Sequence, residues 1–348
     1  MDNSLFISPV SISIMVTDRC TAACNNCCFQ CKPSNQNRLS YEEIEKYVDQ
    51  ALRKFDTIKL LVITGGECFI LGDDLDKIVR YAARRKLLVR VVTNAYWAVT
   101  FKKTYLRLFQ LKELGLNELN ISTGDEHQEW ISFDNIIFAI VAAIHLNLNI
   151  AINVESSPLS QFGRKNISED MRLKKYDIFN NRNIHIINGK WVYFKKGVNV
   201  ELNNSENKSS YRKKNLRCNS LFRDIVITSE YYMYACCGLT CIYIPCLYLG
   251  NLKRNDISFL YNRQFDDFIK IWLFVEGPAK ILDFIMLKLN REAVDVTNWH
   301  ICQICAEIFK NPENITCLQN NYQEVLSNVI IKYSLLRQKI RSINNTYN

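Results

Sequence analysis

The stretch "CTAACNNCCFQC", Cys20 to Cys31, packs five cysteines into twelve positions. It follows "SISIMVT" (Ser11 to Thr17), a β-rich run. Within it, Cys20, Cys24 and Cys27 form C-x3-C-x2-C. Three thiolates on one tight loop suit three irons of a [4Fe–4S] cluster and leave the fourth iron open. An open metal position is what catalysis needs, because a small molecule can coordinate there. Zinc is the competing reading, but zinc sites take four ligands, with cysteines paired as C-x2-C. Cys28 and Cys31 are left over by this spacing.

Outward from the loop, helical and strand patterns alternate. "SYEEIEKYVDQALRKF" carries apolar residues at helical spacing, with Ser40 as N-cap and Glu43 completing a capping box. "IKLLVIT" (Ile58 to Thr64) reads as a strand, "LDKIVRYAARR" as a helix and "LLVRVVT" (Leu87 to Thr93) as a strand. "YLRLFQLKELG" is a helix closing on Gly115. "NELNIST" and "LNIAINVESS" (Leu148 to Ser157) are further strands around the helix "FDNIIFAIVAAIHLN". Repeated βα units predict a parallel sheet with helices outside, and ligands in such sheets sit at the carboxyl ends of the strands.

Every unusual motif falls at such an end. "TGGEC" (Thr64 to Cys68) ends the second strand, "TNAYW" (Thr93 to Trp97) the third, "ISTGDEH" (Ile121 to His127) the fourth and "NVESS" the fifth. With C-x3-C-x2-C after the first strand, the set resembles the radical S-adenosylmethionine (SAM) enzymes over roughly residues 8 to 160. "TGGEC" looks like their Gly-Gly-Glu-Pro motif with Cys68 in place of proline, and "TNAYW" is similar to their Thr-Asn-Gly element. The resemblance implies an α/β fold, a partial (β/α)6 barrel of the radical SAM type. It implies a reduced [4Fe–4S] cluster that cleaves SAM to methionine and a 5′-deoxyadenosyl radical. Gly65 and Gly66 would let backbone approach a ligand closely, and Glu67 would accept hydrogen bonds from the SAM ammonium. Thr93 and Asn94 join the cofactor-binding candidates. Ser122, Thr123 and Asp125 would bind ribose hydroxyls or the SAM carboxylate, with Asn153 and Glu155 as further candidates. Strand-end capping is the bland alternative for each of these polar residues. One position departs from the pattern: Asn26 stands where these enzymes carry an aromatic residue, so the adenine contact must differ or come from Phe29 or Tyr96.

Past about Gln161 the pattern loosens, and "NNSENKSSYRKKN" reads as a loop or linker. "DIVITSEYYMYACC" predicts a hairpin turning near Ser229-Glu230, followed by a helical stretch from about Ile257 to Asn290 and a helical tail. Cys218 and Cys236 flank the hairpin, and Cys302 and Cys305 follow as C-x2-C. Four such thiols suit a fully ligated second [4Fe–4S] cluster, with structural zinc as the alternative. Together with "LGNL" at Leu249 to Leu252, they resemble the twitch domain, the shortened SPASM domain, a smaller α+β iron–sulfur module of radical SAM enzymes. Cys246 or Cys317 is an alternative ligand. The expected domains are 8–205 (partial barrel), 206–320 (twitch-like) and 321–348 (helical tail).

Cys237, beside a proposed ligand, is the candidate catalytic thiol. By resemblance to radical SAM peptide epimerases it would donate a hydrogen atom to a carbon radical and invert a stereocentre. The resemblance therefore implies a maturase acting on a ribosomally synthesised precursor peptide, by epimerisation or crosslinking, and a reductant such as flavodoxin or ferredoxin. A small-molecule radical SAM dehydrogenase is the second reading, and a non-enzymatic iron–sulfur or zinc protein the remote one.

Composition sets the frame. The chain has 348 residues, 23% of them charged, and a net charge of +9. This is a globular composition with room for two cores. The basic residues are scattered, with small clusters at Arg84-Arg85-Lys86 and Arg212-Lys213-Lys214. A solvated basic surface, not a nucleic-acid groove, is expected. The start lacks a basic region and a cleavage site, and no apolar run is long enough to span a bilayer. Fourteen cysteines without export signals point to a cytoplasmic protein with metal or redox chemistry instead of disulfides.

Overall fold

The computed structural model describes residues 7–156, 160–190, 192, 217–297 and 299–346. The linker-like run at 203–215 and the basic cluster at 212–214 lie outside them. The chain divides into two compact units, one of residues 10–193 and 226–232, the other of residues 1–9, 194–225 and 233–348.

The first unit is built on six parallel strands: β1 (Ser11–Met15), β2 (Leu60–Thr64), β3 (Leu88–Thr93), β4 (Glu118–Gly124), β5 (Asn149–Ser156) and β6 (Ile184–Lys190). They pair in chain order, β1 to β6, as an open sheet. Register aligns Ile14 with Ile63, Ile63 with Val91, Val91 with Leu119 and Leu119 with Ile150. All five side chains are completely buried. This row draws alternate residues from each strand, as the two-residue side-chain period requires. The opposite face carries polar groups: Ser13, Arg90 paired to Glu118 at 2.7 Å, and Asn120 bonded to Asn153 at 2.7 Å.

Helices α1 (Tyr41–Leu52), α2 (Asp73–Arg84), α3 (Phe101–Leu114), α4 (Asp125–Gln128), α5 (Phe133–His145), α6 (Arg164–Glu169) and α7 (Met171–Lys174) fill the connections. The capping box on α1 is formed as the sequence predicts, Glu43 N donating to Ser40 Oγ at 3.2 Å and Ser40 N to Glu43 Oε2 at 2.9 Å. α3 ends at Gly115, which takes φ 110°. β6 falls where the sequence pattern loosens. It lies at one end of the sheet order, with Ile187 47% exposed, so its alternation is diluted by Asn and His.

The second unit carries β8 (Tyr232–Tyr234, Met233 onward), β9 (Tyr248–Asn251), α8 (Ile257–Asn262), α9 (Phe268–Glu276), α10 (Pro278–Lys288), α11 (Ile301–Lys310), α12 (Pro312–Asn321) and α13 (Gln323–Thr346). β7 (Asp224–Ile227) and β8 form the expected hairpin. Its turn is closed by Thr228 N to Tyr232 O and Tyr231 N to Thr228 O, both 2.9 Å. The single helical stretch expected from Ile257 to Asn290 is instead three helices. Asp267 caps α9, and Gly277 at φ 83° followed by Pro278 ends α9 and starts α10. The buried Tyr261 hydroxyl donates to Phe222 O and to Ile7 O, fastening α8 to two distant segments. Among the described residues no helix is long and apolar enough to cross a membrane.

Candidate active site

The cysteine loop is laid directly on the Gly-Gly turn that ends β2. Gly66 N donates to Thr17 O at 2.7 Å and Glu67 N to Arg19 O at 2.9 Å. A Cβ at Gly65 would lie 2.5 Å from Thr17 O, and one at Gly66 2.1 Å from Arg19 O and 2.9 Å from Cys20 N. The close approach that these glycines permit is therefore made by the cysteine loop itself.

Glu67 is fully buried. Its carboxylate accepts from Phe69 N (3.0 Å), Thr93 Oγ1 (2.8 Å) and Asn94 N (2.8 Å). Burial lifts it to about 7, against those bonds. It thus ties the end of β2 to the end of β3, and its acceptors are taken up by the chain's own donors. Asn94 extends the brace to the cysteine loop, its Nδ2 donating to Thr21 Oγ1 at 3.0 Å and approaching Cys20 Sγ at 3.6 Å. Cys68, where proline is expected, is buried and donates its thiol to Val92 O at 3.1 Å.

Cys20 Sγ accepts from Ala22 N at 3.4 Å and Cys27 Sγ from Cys31 N at 3.3 Å. A hydrogen bond from the Cys31 side chain, outweighing burial, brings Cys27 down to about 6, whereas burial pushes Cys20 up to about 11 and Cys24 higher still. Cys31 is itself raised by its bond to Cys27. The charges of Cys20, Cys24 and Cys27 act on one another. None of the fourteen cysteines is in a disulfide. Among the described residues no three His, Cys, Asp or Glu converge as they would around a single ion. Three neighbouring thiols on one loop, two of them receiving backbone N–H groups, fit an iron–sulfur group, whose sulfurs are stabilised by such donors.

The remaining candidates line the ends of β4 and β5. Thr123 is buried and accepts from Gln128 Nε2 at 2.8 Å. Asp125 accepts Gln161 N at 3.0 Å and Phe162 N at 2.6 Å, so it holds the loop after β5. Ser122 pairs in register with Asn153, and Asn153 is bonded to Asn120. Glu155 Oε2 lies 3.3 Å from His127 Nδ1. Burial lowers the His127 pKa, but Glu155 and then Cys27 raise it by more, so the net shift is upward. The residue that the sequence pattern does not single out is Glu126. Its carboxylate accepts both Asn26 N, at 2.8 Å, and Asn26 Nδ2, and its carbonyl lies 3.7 Å from Cys24 Sγ. The odd Asn26 is the one signal of it, but the partner stands 100 residues away.

In the second unit, Cys218, Cys236, Cys302 and Cys305 are close neighbours. A Cβ at Gly238 would meet Cys302 Sγ at 3.1 Å and Cys236 Sγ at 3.4 Å. Burial raises Cys236 and Cys305 well above the usual thiol range, and each is raised further by Cys218. Two more thiols join them: Cys241 acts on Cys236, and Cys246 on Cys305. Cys317 stands apart on α12, beside Asn321 and under the influence of Lys288 and Glu313. Cys237 is the only exposed cysteine of the fourteen. Its thiol donates to Asp224 Oδ2 at 3.1 Å and lies 3.6 Å from Ser220 Oγ. Burial of its sulfur, then the Asp224 charge, pushes it up to about 12, so it remains S–H at neutral pH.

Residues 14–137 match the Radical SAM superfamily. The chain carries a radical SAM domain. Radical SAM domains use SAM and a [4Fe–4S] cluster, the cofactor pair that the cysteine loop and strand-end motifs imply. A Bacillus subtilis (strain 168) protein, YydG, named for a proposed role in peptide biosynthesis, is 26% identical over 126 residues. That match spans 36% of this chain and 39% of YydG. Among solved structures, anSMEcpe with bound AdoMet shares the fold at TM-score 0.53 and 13% identity, covering 92% of this chain and 100% of that one. The anSMEcpe complex with AdoMet and Cp18Cys peptide gives TM-score 0.52 at 14% identity, with 92% and 99% covered.

Proposed function

We propose that this radical SAM protein acts on a residue of a ribosomally synthesised precursor peptide and inverts its α-carbon, with Cys237 as the hydrogen donor. The observation that carries the reading is the Cys237–Asp224 pair: an exposed cysteine whose thiol donates to a carboxylate 3.1 Å away. A hydrogen-atom donor must keep its S–H bond, and the Cys237 thiol donating to Asp224 supports that role. The name of YydG supports a peptide as the substrate class.

In this reading Cys20, Cys24 and Cys27 hold the SAM-binding cluster, and Cys218, Cys236, Cys302 and Cys305 hold one auxiliary [4Fe–4S] cluster. When bound, SAM and the reduced cluster supply a carbon radical that removes the substrate Cα hydrogen. The remaining steps belong to the chain. The Cys237 S–H bond breaks, a new Cα–H bond forms on the opposite face, and the sulfur is left one electron short. One electron from a flavodoxin- or ferredoxin-type reductant and one proton taken up from water restore the thiol, whose S–H again donates to Asp224. Gly65, Gly66, Glu67, Thr93 and Asn94 keep the cysteine loop in place, while Ser122, Thr123, Asp125, Asn153 and Glu155 shape the polar strand ends near it.

The test is turnover in heavy water with any short peptide found encoded beside this gene. The wild type should incorporate one deuterium into one residue. Cys237→Ala should still form 5′-deoxyadenosine but lose the deuterium. Retained incorporation in Cys237→Ala would remove the assignment, and a loss of two mass units would mean crosslinking or oxidation instead.

A further inference from the structure

We propose that Glu126 is a positioning residue for SAM: through Asn26 it fixes the loop segment between the second and third cluster cysteines. The inference rests on the reading of Cys20, Cys24 and Cys27 as cluster ligands. Two loop residues, Asn25 and Asn26, separate Cys24 from Cys27. Such a short span sits in the ligand set itself, so its conformation sets where the two sulfurs point. Asn26 cannot pack as an aromatic ring would, and its anchor is polar.

The anchor is a two-pronged one. Glu126 takes the Asn26 backbone N–H on one carboxylate oxygen, at 2.8 Å, and the Asn26 side-chain amide on the other. Its own carbonyl faces Cys24 Sγ at 3.7 Å. Hydrogen bonds to a carboxylate are charge-assisted and stronger than neutral ones, and a paired arrangement fixes direction as well as distance. Glu126 is itself held in place. Its neighbours on α4 are each tied down: Asp125 takes Gln161 N and Phe162 N of the loop after β5, His127 lies against Glu155 at the end of β5, and Gln128 donates to Thr123 at the end of β4. The single turn of α4 thus joins the ends of β4 and β5 to the cysteine loop. Thr123 and Glu155, at these strand ends, are thereby linked to the cysteine loop through α4.

Because the clamp holds the loop without supplying a ligand, its loss should spare the iron and harm the fit of SAM. Glu126→Ala, Glu126→Gln and Asn26→Ala would be compared with wild type in three measurements. These are iron content, the electron paramagnetic resonance spectrum of the reduced cluster during a SAM titration, and steady-state release of 5′-deoxyadenosine over a range of SAM concentrations. Losing charge-assisted bonds should raise KM for SAM about tenfold or more in Glu126→Ala, with the maximal rate changed less. The SAM-induced spectral change should need correspondingly more SAM. Glu126→Gln, which retains one acceptor, should fall between, and Asn26→Ala combined with Glu126→Ala should be no worse than Glu126→Ala alone. A Glu126→Gln variant with wild-type KM and titration, or one that loses iron while its remaining cluster binds SAM normally, would overturn the proposal. A wild type that takes up iron but shows no spectral response to SAM would instead overturn the underlying functional reading.

Discussion

Gly66→Ala should uncouple the cysteine loop from the sheet without unfolding the chain. The added Cβ would sit 2.1 Å from Arg19 O and 2.9 Å from Cys20 N, both backbone atoms that cannot rotate away. An ordinary carbon–oxygen contact needs about 3.3 Å, so the loop must retreat by roughly 1 Å. That retreat strains or breaks the 2.9 Å bond from Glu67 N to Arg19 O. Overpacking of this kind costs about 1–3 kcal/mol, which most folds survive. A displacement of that size at a reacting centre costs about a hundredfold in rate. Gly163→Ala is the matched control, since nothing lies within 4 Å of its Cβ position. Thermal melts, iron content and the initial rate of 5′-deoxyadenosine formation would be measured on both. Gly163→Ala should match wild type. Gly66→Ala should melt a few degrees lower and lose about two orders of magnitude in rate. A Gly66→Ala protein with the wild-type rate would refute the packing argument.

The other expectations are simpler to state. Asp224→Asn should lower the Cys237 pKa, because a thiol that donates to an anion is kept protonated; alkylation of the Cys237 peptide at pH 8 should then speed up about tenfold. An unchanged rate would show that Asp224 does not hold the proton. Burial holds Glu67 up at about 7, so between its ordinary value of 4.5 and about 7 the folded chain keeps a proton that the unfolded chain releases. Stability should therefore fall as pH rises through that window, and urea midpoints of Glu67→Gln should lack that slope. Cys305→Ala should lose about half of the bound iron, while Cys317→Ala, remote from the other thiols, should lose none. Equal iron in the two variants would contradict the auxiliary ligand set.

The parallel sheet was legible because its strands are fully apolar on one face, as in the Ile14–Ile63–Val91–Leu119–Ile150 row. β6 escaped because an edge strand with an exposed Ile187 and interspersed polar residues has no such signature. The helical stretch from Ile257 to Asn290 is not continuous, although Gly277-Pro278 is visible in it. The pair ends one helix and starts the next. At the site, residue types carried the chemistry but not the partners. Glu67 and Asp125 are acids at strand ends, yet both are spent on backbone N–H groups. Glu126 is signalled in the sequence only by the odd Asn26, because its role lies in what it faces, not in any spacing. Cys241 joins the second thiol group only in the fold, where it acts on Cys236, whereas Cys246, already an alternative ligand by sequence, acts on Cys305.

The most direct measurement of the radical SAM chemistry is 5′-deoxyadenosine formation by the anaerobically reconstituted protein with SAM and dithionite. The product should form in the wild type and be abolished when Cys20, Cys24 and Cys27 are replaced by alanine. A reconstituted wild type that binds iron yet yields no 5′-deoxyadenosine would contradict that assignment.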